Sequence, residues 1–225
     1  MDELAKCYQN VRGQIAVAER QIGRAPGSVT LLAVSKTKPA SSLARLYHLG
    51  QRHFGENYLQ EALRKQAELS AFAIDWHFIG PLQSNKTRPI AMSFNWVHSV
   101  DRLRIAERLS AQRPATLPPL NVCIQVNISH EATKSGVALA ELPALVDAIA
   151  VLPRLRLRGV MAIPAPGLSD TEVSAAYRTM AAVVQTQGKP FMDTLSMGMS
   201  ADLEVAVACG ATIVRVGTAL FGARG

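Results

Sequence analysis

Leu31-Leu32-Ala33-Val34-Ser35-Lys36-Thr37-Lys38-Pro39 decides how the chain is read. An apolar run enters a lysine and Pro39 blocks further extension, so the stretch reads as a buried strand ending at Lys36. Side chains alternate along a strand, so Leu32, Val34 and Lys36 share a face and the amine leaves an apolar wall at the strand's carboxyl end. Desolvation there disfavours the ammonium and frees the amine for attack on an aldehyde. The plainer alternative is a lysine whose stem covers apolar surface while its head reaches water.

The same unit recurs on both sides. Before it, Leu4, Tyr8, Val11, Ile15, Ala18 and Ile22 recur at three- and four-residue spacing, predicting an amphipathic helix over residues 2–23. After it come a short helix through Leu49-Gly50, a strand at 52–57, and a helix to Leu69. Strands follow at 75–80, 95–99, 120–127, 155–163, about 193–196 and 211–218, with helical stretches between them. The residues at 130–136 read as a polar loop, and Ser200 reads as the opener of the helix before the last strand. Eight strand-to-helix units with buried strands predict an α/β fold, a closed parallel (β/α)8 barrel over residues 1–225 as one domain. The leading helix is extra and the last helix nearly missing, so the first is expected to pack near the gap left by the last. An open doubly wound sheet is the competing architecture.

Apolar residues make up 48% and charged residues 18%, which excludes a disordered chain. The formal charge of +7 suits small anionic ligands, but the arginines are scattered, so no nucleic-acid partner is expected. Cys7, Cys123 and Cys209 have no metal-site spacing and point to a reducing compartment. The charged start, and the lack of a run of about 20 apolar residues, give no export signal and no membrane partner. A cytoplasmic protein is expected.

In a barrel, strand ends converge on one face. Ser196-Met197-Gly198-Met199-Ser200 after the seventh strand and Gly217-Thr218 after the eighth then form a candidate phosphate cradle of small residues, backbone N–H groups and hydroxyls. Arg215 and Ile213 should point into the barrel, where a guanidinium needs partners. An interior carboxylate such as Glu56 is one candidate partner, and a ring atom of a bound ligand is another. Arg154, Arg156 and Arg158 read as a solvated strand entrance at the opposite end.

Ala33–Pro39, Phe54–Tyr58, Trp76–Lys86, Lys134–Val137, Arg158–Ile163, Leu195–Leu203 and Val214–Gly222 together resemble the YggS/PLPBP family of pyridoxal-phosphate homeostasis proteins over essentially the whole chain. That family shares the alanine racemase N-terminal barrel. The resemblance implies pyridoxal 5'-phosphate as a Schiff base on Lys36, its phosphate around Met199, Ser200, Gly217 and Thr218, and Arg215 facing the pyridine nitrogen. Asn57, His77 and Asn85 match family motifs and are expected at the mouth, although His77, like His53 and His98, reads equally as a hydrogen-bonded core residue. Lys38 and Lys134 are further amines that could relay the aldehyde, with solvated surface charge as the plainer reading. The resemblance implies a non-catalytic carrier in vitamin B6 homeostasis that delivers the cofactor to apoenzymes. A weak amino-acid racemase is the alternative, since the second acid/base domain of the racemases is not read in the sequence. Without that domain a monomer is expected.

Overall fold

The computed structural model describes residues 2–129 and 135–222, so Lys134 and most of the expected loop at 130–136 lie outside the described residues. Helix α1 (Glu3–Gln21) opens with the Asp2 carboxylate accepting from the Ala5 N–H, which satisfies one of the orphan donors of the first turn. It buries Tyr8, Val11, Ile15 and Ala18, the face its periodicity predicts.

Eight units follow: β1 (Thr30–Val34) with α2 (Ala40–His48), β2 (His53–Glu56) with α3 (Leu59–Glu68), β3 (Asp75–Phe78) with α4 (Thr87–Ser93), and β4 (Trp96–Val100) with α5 (Leu103–Gln112). The second half is β5 (Leu120–Val126) with α6 (Leu142–Ala150), β6 (Leu155–Ala162) with α7 (Asp170–Gln187), β7 (Thr194–Ser196) with α8 (Leu203–Ala208), and β8 (Ile213–Val216) with α9 (Thr218–Phe221). The strands pair in parallel in chain order and close on themselves. Closure is carried by β8 against β1, with Thr30 opposite Ile213 and Ala33 opposite Val216. That pairing rules out the open sheet, which would leave both strands with a free edge. The last unit ends in a helix of only four residues, and α1 packs against α8 and α9, where a full eighth helix would lie.

Leu31 and Ala33 join the continuous core that includes Leu43 and Leu46 of α2. Leu32 points the other way, into the barrel, where a Cβ on Gly55 would press against Leu32 and Ile79 at 3.2 Å. The two faces of β1 therefore serve different purposes: one anchors the helices, and the other leads upward to the rim. One expectation about the elements needs correction. The helix after β7 opens at Leu203 rather than Ser200, so residues 197–202 form a loop. The entrance arginines lie as expected, with Arg154 and Arg156 exposed; Arg158, half-buried, pairs with both carboxylate oxygens of Asp193 and lies 4.9 Å over the Trp96 ring.

Candidate functional site

At the carboxyl ends of the strands a cavity of about 370 Å³ opens, within the range that holds small molecules. Its lining includes Lys36, Asn57, Met199, Arg215, Gly217 and Thr218. Ser200 lines it as well, as do Val34, Ile79, Met161 and Ile163, which give it an apolar wall. Lys36 and the loop after β7 thus share one chamber, although they are far apart in sequence.

Lys36 sits in the turn after β1, half-buried, next to Thr37 with φ of 65°. A β-branched residue in that left-handed region is an outlier that its surroundings must hold. The Thr37 N–H donates to Glu61 Oε1 at 2.6 Å. Lys65 Nζ reaches the same Glu61 oxygen, Glu56 Oε1 and the Ser35 carbonyl at 2.6 to 2.7 Å. Ser35 Oγ donates to Glu56 Oε1. A buried ion cluster from α3 and β2 therefore grips both residues flanking Lys36. Burial pushes the Glu56 carboxyl up, against the opposing pull of Lys65 and Ser35.

The loop after β7 is held from below. Tyr177 of α7 donates to Asp202 Oδ2 at 2.6 Å and accepts from the Gly198 N–H, while Asp202 Oδ1 accepts from the Met199 N–H. Gly198 has φ of 92°, and a Cβ there would lie 2.4 Å from that of Ala206, so the loop requires glycine. Ser200 Oγ accepts from the Ala219 N–H, tying this loop to the start of α9. The result is a rim of small residues and hydroxyls next to exposed backbone, chemistry suited to an anion.

Arg215 is buried on the inner face of β8, and its guanidinium donates to the Ser196 carbonyl, Ser196 Oγ and the Ala162 carbonyl. That uses three of its five N–H donors, and the side chain still lines the cavity. Glu56, one of the two candidate partners, is engaged by Lys65 instead. Asn57 follows β2 at the rim, where a Cβ on Gly80 would lie 2.2 Å from its carbonyl oxygen. Its Oδ1 is buried without a hydrogen-bond partner among the described residues. A buried acceptor in a cavity wall is unfavourable until a donor fills it. An amine, an arginine, an orphan acceptor and an anion-suited rim around one chamber fit pyridoxal phosphate, a phosphorylated aromatic aldehyde that carries a hydroxyl.

The structure does not bring His77 and Asn85 to this chamber. Asn85 is exposed on a single 3₁₀ turn (Ser84–Lys86). His77 is buried inside the barrel between His53, at 3.1 Å, and His98, at 2.9 Å, and its ring stacks on Trp96. Lys38 lines the cavity and donates to the Phe221 carbonyl. The ion cluster under Lys36 and the Tyr177–Asp202 clamp were not foreseen. Alternation along β2 places Glu56 out of step with Gly55, and that was the one available hint.

Burial holds the His77 imidazole well below its ordinary range and, with the Arg215 charge nearby, lowers that of His98 to about 3. The unfolded chain titrates near pH 6.5 at each histidine. Between that value and about pH 3, unfolding therefore takes up protons that the fold refuses, so stability is full above pH 6.5 and declines as pH falls. Urea unfolding is expected to show a loss of about 1 kcal/mol for each of the two rings between pH 7 and about pH 5.5. A flat profile over that interval would contradict the assignment.

The chain matches the model of the alanine racemase N-terminal domain over residues 8–225. It is 58% identical over 224 residues to the pyridoxal phosphate homeostasis protein of Pseudomonas aeruginosa, covering 100% of this chain and 97% of that one. The corresponding protein of Escherichia coli is 55% identical over 230 residues, covering 100% of this chain and 98% of its own. Among solved structures, PipY of Synechococcus elongatus PCC7942 with PLP bound is similar, at 40% identity and a TM-score of 0.81, over 92% of this chain and 100% of that one.

Proposed function

This chain belongs to the family of the alanine racemase N-terminal domain and, within it, to the pyridoxal phosphate homeostasis proteins. From that premise we propose that it is a reversible carrier of pyridoxal 5'-phosphate that delivers the cofactor to apoenzymes. The observation that carries the reading is the shared chamber: Lys36, Arg215 and the Ser200–Gly217–Thr218 rim line one cavity of about 370 Å³. When bound, pyridoxal phosphate supplies an aldehyde carbon that condenses reversibly with a primary amine and releases water. Lys36 provides the amine. Ser200 and Thr218 offer hydroxyls, and Gly217 leaves room for backbone N–H groups to bind the phosphate. Asn57 Oδ1, buried without a partner among the described residues, would accept from a hydroxyl of the bound group.

Arg215 is assigned to the ring nitrogen. A fixed cation there disfavours protonation of that nitrogen, which leaves the ring a poor electron sink. Besides Lys36, the strongly basic side chains lining the cavity are Lys38 and Arg215, and no Asp, Glu, His or Tyr lines it among the described residues. This supports holding the cofactor over two-base proton exchange at a substrate carbon. Three free cysteines support a reducing compartment, the cytoplasm, and no helix among the described residues is long and apolar enough to cross a membrane.

Two solution measurements test the reading. With pyridoxal phosphate bound, deuterium exchange at the α-carbon of added amino acids is expected to be slow. Rapid exchange that depends on Lys36 would make the protein an enzyme. Loaded protein mixed with a dilute apoenzyme and an aldehyde scavenger is expected to restore activity faster than free release allows. Restoration no faster than release into solution would remove the delivery role.

A further inference from the structure

Inside the barrel, leading down from Arg215 at the cavity wall, runs a line of polar side chains, Ser196, His98, His77 and His53, that the cofactor reading does not use. Arg215 Nη1 donates to Ser196 Oγ at 2.9 Å, and Ser196 Oγ lies 2.8 Å from His98 Nδ1. His98 Nε2 lies 2.9 Å from His77 Nδ1, and His77 Nε2 lies 3.1 Å from His53 Nδ1. Arg215, Ser196, His98 and His77 are buried, whereas His53, the first residue of β2, is half-buried at the amino end of the barrel with Asp75 Oδ2 at 3.7 Å. The line therefore climbs through the barrel from one end to the chamber at the other.

Its polarity is fixed from the arginine end. Arginine only donates, so Ser196 Oγ accepts there. The Ser196 hydroxyl proton then has one acceptor among the described contacts, His98 Nδ1, and pointing it elsewhere would bury an unsatisfied donor. His98 with Nδ1 as acceptor carries its proton on Nε2 and donates to His77 Nδ1. His77 in turn donates from Nε2 to His53 Nδ1. Every ring is neutral and protonated on Nε2, and every bond in the series is satisfied. Stacking of His77 on Trp96, with planes 7° apart and centroids 5.4 Å apart, fixes the plane of the middle ring. Around the line, Asp75 faces His53, and Arg158 lies over the Trp96 ring. Near the Arg215 end, Cys123 has a thiol that burial pushes up to about 12, so it stays neutral.

We propose that Ser196, His98 and His77 are positioning residues for Arg215: a one-way hydrogen-bond chain that keeps the Ser196 oxygen an acceptor and so fixes the guanidinium at the cavity wall. The inference rests on the reading that the pyridine ring sits against Arg215, and it assigns the buried histidines a task no cavity contact gives them. His98 positions Arg215 through Ser196 and touches no ligand. A second proton on His53 would set its Nδ1–H against the His77 Nε2–H, so the chain also resists charging from its exposed end.

Two measurements test this, one without cofactor. Nitrogen-15 shifts of the imidazole rings in the protein alone are expected to show His77 and His98 unprotonated at Nδ1 and protonated at Nε2 from about pH 6 to 8. Either ring doubly protonated, or protonated at Nδ1, overturns the proposal. With pyridoxal phosphate, His98→Leu is expected to weaken binding about ten-fold, the worth of a hydrogen bond to a charged group, and to shift the absorbance maximum of the bound cofactor. His98→Asn keeps an acceptor near the position of Nδ1 and is expected to restore both, which general loosening of the barrel would not do. His98→Leu that binds with wild-type affinity and spectrum overturns the proposal. If the unmodified protein binds no pyridoxal phosphate, the cofactor reading fails and with it the task assigned to the chain, while the nitrogen-15 result still decides the chain's polarity.

Discussion

Lys36→Ala is expected to abolish the visible absorbance that the protein acquires with pyridoxal phosphate, together with the adduct fixed by borohydride. Lys36 lines the same chamber as the anion-suited rim, just after the strand next to β8, and its neighbours are locked by Glu61 and Lys65. The amine is thus presented from a turn that has little freedom to move. Lys38 shares the cavity, but its amine is directed to the Phe221 carbonyl. It is therefore expected not to replace Lys36 as the reacting amine. Non-covalent binding through the phosphate rim should survive, so equilibrium dialysis is expected to detect the ligand where absorbance does not. A Lys36→Ala protein that keeps a full-strength band would move the reacting amine elsewhere.

Lys65→Met is expected to be the most damaging single change outside the chamber. Lys65 and Glu56 are 4% and 0% exposed, and Glu56 Oε2 already lacks a partner among the described residues. Removing the ammonium leaves a buried carboxylate with only the Ser35 hydroxyl, and breaking such a pair from one side costs about 3 to 5 kcal/mol. Most domains are stable by only about 5 to 15 kcal/mol, so a large share of the total is lost. The Ser35 carbonyl and Glu61 lose the same partner, and the turn that bears Lys36 is released. Urea unfolding is the direct measure. The double change Lys65→Met with Glu56→Leu should recover part of the loss, because replacing both charges with apolar groups removes the stranded one. A single-variant cost under about 1 kcal/mol would mean that solvent reaches the cluster.

The barrel was legible because each strand is a short apolar run stopped by glycine, proline or polar residues, and because eight such runs alternate with helical periodicity. Alternation also turned Arg215 inward correctly, but no local pattern names a partner. Its hydrogen bonds go to Ser196 and Ala162, while Glu56 is claimed by a lysine from the next helix. Lys65 reads as an ordinary polar position on an amphipathic helix, and its burial follows from Glu56 and Ser35 meeting it across the fold. Ser200 has the look of a helix N-cap, yet the tie from Tyr177 to Asp202 delays the helix until Leu203. His77 and Asn85 sit in one motif in sequence, but a strand carries the first into the barrel and a 3₁₀ turn carries the second to the surface. Short-range pattern sets where a side chain points, and partners distant in sequence set what it does there.

A crystal structure of the protein soaked in pyridoxal phosphate tests the central claim most directly. The account predicts continuous density from Lys36 Nζ to the ring, the phosphate against Ser200, Gly217 and Thr218, and the ring nitrogen facing Arg215. Density on another lysine, or a phosphate bound away from that rim, would contradict it.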